Sequence, residues 1–98
     1  MNIDRILIPP SREAHIGQAH QVHRDEVYDA FEDDDIPITR AQDDRPDHSG
    51  RLYVAFGRAE NGRLLTVIFR YFPDDLTAYV ITARDMTVKE KRQYRKKG

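Results

Sequence analysis

Ninety-eight residues with 39% hydrophobic and 34% charged content are enough for one domain, spanning 1–98, with a single modest core. The chain has no cysteine, which excludes disulfides and thiolate metal sites and fits a reducing cytoplasm. Its formal net charge is only −1, yet Asp25–Asp35 carries seven acids and no base, while Val88–Lys97 carries six bases against Glu90 alone.

Ile3, Ile6, Leu7 and Ile8 precede Pro9-Pro10 and predict a short edge strand that the prolines end. This apolar run is too short for a signal peptide, and no stretch is long enough to span a membrane. Ser11 is the expected N-cap of a helix over Arg12–His20. A second helix follows, capped at His23, with Asp25 and Glu26 in its first turn and Val22 set to pack on Val27. Asp33 to Asp35 oppose the dipole at its C-terminal end. Ile36-Pro37-Ile38-Thr39 reads as another edge strand, and Ala41–Gly50 as a loop.

The stretch from Arg51 to Arg84 organises the chain. Its three apolar runs, Leu52–Phe56, Leu64–Phe72 and Leu76–Ala83, are rich in β-branched and aromatic residues and predict an antiparallel meander. Asn61-Gly62 reads as a two-residue hairpin turn. That turn sets Phe56 opposite Val67 and Val54 opposite Phe69. Leu52, Val54, Phe56, Leu65, Val67 and Phe69 then form the core face. Pro73-Asp74-Asp75 reads as a three-residue second turn, which projects Arg84 on the side of Arg70. Arg51, Tyr53, Arg70 and Arg84 are thereby expected on one open surface. Thr87-Val88-Lys89-Glu90 is a capping box ahead of a basic C-terminal helix. The fold class is α+β: one antiparallel sheet, the meander plus short edge strands, with two N-terminal helices and one C-terminal helix.

His15, His20 and His23 lack a metal-ligand spacing, so caps and solvated side chains outweigh a metal site; one remains available as a proton carrier. No nucleophile triad or phosphate-binding glycine loop is present. The arginine surface carries more chemistry. Guanidinium groups fork onto phosphate, and Tyr53 beside them offers a ring for a base. With the basic last helix, that surface suits RNA; the competing reading is solvated decoration of an exposed sheet.

From Glu13 to Tyr94 the order of motifs resembles the BrnT family of bacterial toxins. The pieces are His15-Ile16, Ala19-His20-Gln21-Val22, Val27-Tyr28-Asp29-Ala30-Phe31, Gly50-Arg51, Ala55-Phe56-Gly57-Arg58, Asn61-Gly62, Val67–Phe69, Val80-Ile81-Thr82-Ala83-Arg84, Glu90-Lys91-Arg92 and Tyr94. The resemblance implies a RelE-like ribonuclease that needs no metal or cofactor and inhibits translation and growth. It implies an RNA substrate and a BrnA-like antitoxin as partners, in a homodimer or a toxin–antitoxin hetero-oligomer. His20, Arg51, Arg84 and Glu90 match the family's functional positions. His20 or Glu90 would be the acid or base, and Arg51 and Arg84 would hold the phosphate. Tyr53, Arg70, Lys89, Lys91, Arg92 and Arg95 would bind RNA. The chain departs from the family at Ala19, where a basic residue is usual, at Gln21, where glycine is usual, and in lacking tryptophan. These departures motivate the alternative, a catalytically degenerate protein-binding module of the same fold.

Overall fold

The computed structural model describes residues 1–33, 35–42 and 50–97; most of the loop expected over Ala41–Gly50 lies outside the described residues. The elements run β1 (Arg5–Leu7), α1 (Pro10–His20), α2 (Arg24–Ala30), β2 (Ile38–Arg40), β3 (Arg51–Arg58), β4 (Leu64–Phe72), β5 (Thr77–Asp85) and α3 (Val88–Lys97). The class is α+β, built on one five-stranded sheet in the order β1-β5-β4-β3-β2. The expected meander forms its centre. The sheet is mixed rather than wholly antiparallel, because β1 lies parallel to β5, pairing Arg5 with Thr77 and Leu7 with Tyr79. Leu76, in the left-handed region with φ 53°, turns its carbonyl to the N–H groups of Asp4 and Arg5 and docks β1 on that edge.

The first hairpin corrects the expected register. Only Gly62 takes positive φ (91°) at this turn. Gly62 N–H donates to the Ala59 carbonyl and Ala59 N–H to the Arg63 carbonyl, so the loop is Glu60-Asn61-Gly62, a three-residue turn with glycine in the left-handed position. One more residue in the loop slips β3 by one. Ala55 now opposes Val67 and Tyr53 opposes Phe69. Leu65, Val67 and Phe69 stay in the core as expected, but opposite Gly57, Ala55 and Tyr53 in turn. Leu52, Val54 and Phe56 turn to the opposite face.

The second turn also differs, spanning four residues between Phe72 and Thr77, but a bulge between Ile68 and Phe69 restores the side-chain alternation. Arg84 therefore faces the same side as Arg70, as expected, opposite Thr66.

α1 and α2 cover the core face with Ile16 and Val27, joined by Val22 from the link between them. Pro10 opens α1, and Ser11 lies inside the first turn rather than capping it. α1 ends at Gln21, which adopts the left-handed conformation (φ 52°, ψ 38°) usually left to glycine, at a cost of about 1 kcal/mol. His23 caps α2 as expected, with Glu26 completing the capping box. Gly57 lets α2 approach the sheet: a Cβ there would stand 2.7 Å from both the Cβ and the carbonyl oxygen of Ala30. Since backbone cannot step aside, Gly57→Ala should lose about 1–3 kcal/mol in urea unfolding; a neutral result would mean that α2 is not seated so closely. Among the described residues, no helix is long and apolar enough to cross a membrane.

Candidate nucleic-acid interface

α3 leaves the end of β5 through a capping box: Thr87 N–H donates to Glu90 Oε1 at 2.9 Å, and Glu90 N–H to Thr87 Oγ1 at 3.2 Å. It lies over the sheet face opposite α1 and α2. There Glu90 turns inward. Arg84 grips it with two prongs, Nη1 to Oε1 at 2.7 Å and Nη2 to Oε2 at 2.9 Å, and Thr66 Oγ1 donates to Oε1 at 2.9 Å. These donors, Arg84 foremost, outweigh burial and lower the Glu90 carboxyl to a pKa of about 2. So weak a base does not take a proton readily at neutral pH. Arg84, its own proton held more tightly by the same contact, also donates to the Asp85 carbonyl at 3.1 Å.

Turning Glu90 inward leaves the outer surface of α3 to cations. Lys89, Arg92, Arg95 and Lys96 are exposed and Lys91 is half-buried. The box that starts the helix thus also clears its outer face of negative charge.

The other expected site residues are dispersed. Arg51 is exposed at the start of β3, opposite Tyr71 and on the α1/α2 face. Arg84 pairs with Thr66, which pairs with Phe56, five residues further along β3. Five residues of strand span roughly 16 Å. With that distance added to opposite faces, Arg51 and Arg84 do not share one phosphate. Tyr53, expected on the open surface, stacks on Phe69 in the core at 5.9 Å, because the register slip turned it inward. Arg70 is on the expected face but only 8% exposed, and its Nη1 donates to the Gly50 carbonyl at 2.9 Å.

His20 ends α1, half-buried, with its ring edge-on to His15 at 5.5 Å. It nevertheless approaches the α3 end of the sheet. Hydrogen bonds from Arg63 hold the Asp85 carboxyl below its ordinary range, against the push of burial. Arg63 Nη2 joins the His20 carbonyl to the Asp85 carboxylate, which sets the end of α1 beside the end of β5. No match to this chain was found among protein-family models or curated proteins. Among the described residues, no three metal-ligating side chains gather. His23 Nδ1 accepts the Asp25 N–H of the α2 cap at 3.4 Å.

Sequence reading missed Arg63, half-buried beside the hairpin. It donates to Asp85, Glu26 and the carbonyls of His20 and Gln21. α2 is pinned to the same turn: Asn61 Nδ2 donates to Glu26 and Glu60 N–H to Asp29. Two of the seven acids in the polarised segment are therefore structural, and Asp25, Glu32, Asp33 and Asp35 remain exposed.

Proposed function

We propose that this chain is a toxin-type endoribonuclease with a RelE-like arrangement, acting in the cytoplasm and held in check by a BrnA-like antitoxin. The observation that carries the reading is the outer face of α3, from which the helix's only acid is withdrawn. Such a face tracks a polyanionic backbone. Cleavage needs no metal: the RNA 2′-oxygen attacks the adjacent phosphorus and the P–O5′ bond breaks, while a base takes the 2′-proton and an acid gives a proton to the leaving 5′-oxygen. His20 is the proton carrier of this scheme, at the end of α1 that Arg63 ties to the end of β5. The exposed acids beyond α2 would repel RNA and suit a basic antitoxin surface.

A second reading, a non-enzymatic binding module, is favoured by the mutual engagement of Arg84 and Glu90 and by the remoteness of Arg51. The two readings part in one experiment: RNA binding and RNA integrity measured on the purified chain across a salt series, with growth followed after induction in cells. Lys89→Ala and Arg92→Ala should each flatten the log-affinity against log-salt slope by about 0.7 on single-stranded RNA. Intact RNA and unaffected growth select the protein-binding module. Binding that ignores salt removes α3 from the interface.

A further inference from the structure

Beside α3, Thr39 of β2, Phe56 of β3, and Gln93 and Lys96 of α3 enclose a cavity of about 360 Å³. From this cavity we infer that the protein binds one unpaired nucleotide base, held between Phe56 and the Gln93 side chain. The inference rests on the RNA reading above and names what that interface reads.

The register slip that moved Tyr53 inward brought Phe56 to this face, where it is 9% exposed. Thr39 opposes Val54, two residues before Phe56 on the same face, so its hydroxyl stands at the same cavity. Gln93 and Lys96 are three apart on α3 and Lys89 lies four before Gln93, which sets one amide between two ammonium groups along a helical stripe.

Each part has a use for a single-stranded nucleotide. Aromatic surface attracts a flat base whatever its sequence. An amide both donates and accepts, so it can read the pairing edge that a duplex conceals. Lys89 and Lys96 meet the phosphates on either side. A cavity of this size, with an apolar wall and a few polar groups, matches small-ligand sites in general. A paired base would not be read there, because a duplex holds its Watson–Crick edge inside the helix.

The test uses the intact chain and short unstructured homopolymers of A, C and U, followed by fluorescence anisotropy across a salt series. Wild type should prefer one homopolymer over the weakest by about tenfold, the scale of one well-placed base contact. Gln93 is exposed, so Gln93→Leu removes the amide without disturbing the core. It should shrink the preference to about twofold and leave the salt slope unchanged, since the slope counts phosphate contacts alone. Normal salt-dependent binding with no preference, or with a preference that survives Gln93→Leu, overturns the base site and leaves the RNA reading standing. No salt-dependent binding to any homopolymer overturns the RNA reading and the base site with it.

Discussion

Arg63→Met should destabilise the protein by about 3 kcal/mol, lowering the melting temperature by on the order of 15 °C for a chain of this size. All five guanidinium N–H groups are committed. Nε and Nη2 donate to Asp85 at 2.7 and 3.2 Å, Nη2 also to the His20 carbonyl at 2.9 Å, and Nη1 to the Gln21 carbonyl at 2.6 Å and to Glu26 at 3.2 Å. Methionine keeps the apolar stem and leaves four partners without their donor. The loss falls mainly on the α1 carbonyls and on Glu26, whose side chain is 14% exposed; Asp85, at 63%, is solvated and loses little. Burial pushes the Glu26 carboxyl up, but hydrogen bonds from His23, Asn61 and Arg63 prevail and hold it below its ordinary value. A depressed carboxyl stabilises the fold above its unfolded pKa and loses that contribution as pH falls through the folded one. Arg63→Met should therefore also flatten the acid limb of the stability–pH curve. Arg63→Lys should recover only part of the loss, having charge without the fork. A loss below about 1 kcal/mol for Arg63→Met in urea unfolding would show that α1 is held by Ile16 packing alone.

What the sequence revealed was mostly local. The α2 cap at His23, the Thr87–Glu90 box and the meander all follow from contacts within a few residues. The first register did not, because Asn61-Gly62 suits two turns: a two-residue loop with both residues at positive φ, and a three-residue loop with only Gly62 there. The deciding contacts lie outside the dipeptide. Asn61 uses Oδ1 on Arg63 N–H and Nδ2 on Glu26, a residue 35 positions away. The second turn was misjudged by one residue as well, yet Arg84 landed on the expected face because the bulge at Ile68/Phe69 added a compensating one.

The dispersal of the expected site has the same origin. Arg51, Tyr53, Arg70 and Arg84 share a surface only if β3 keeps the two-residue-turn register. With the slip, Tyr53 becomes core and Phe56 comes to the α3 face. The Arg63 hub was invisible for a different reason. Its partners are separated from it by 22 to 43 residues, and no periodicity announces an arginine that caps a helix from another element.

Arg84→Lys should lower stability yet leave RNA cleavage, or RNA binding if the protein does not cleave, within a few-fold of wild type per folded molecule. Were Arg84 a preorganised phosphate donor, the same substitution would instead cost on the order of 100-fold in cleavage. The expectation follows from where its two prongs go. Both Nη groups are on Glu90, and the side chains are 31% and 18% exposed, so the pair is largely withdrawn from solvent. Glu90 drops from 4.5 to about 2 on folding, which corresponds to roughly 3 kcal/mol as an upper bound. Because the folded pKa is the lower one, this contribution is complete above pH 4.5 and disappears as pH falls toward 2. Glu90→Gln keeps the shape and removes the titration, so its acid limb should be flatter than that of wild type. Arg84→Ala should lift the Glu90 carboxyl toward or above its ordinary value, since burial then acts with its strongest opponent gone. The measurements are urea unfolding at pH 7 and through the acid range, and RNA cleavage and binding on the same preparations. A well-folded Arg84→Lys with normal stability and a 100-fold cleavage defect would return Arg84 to the phosphate and make Glu90 its positioning partner.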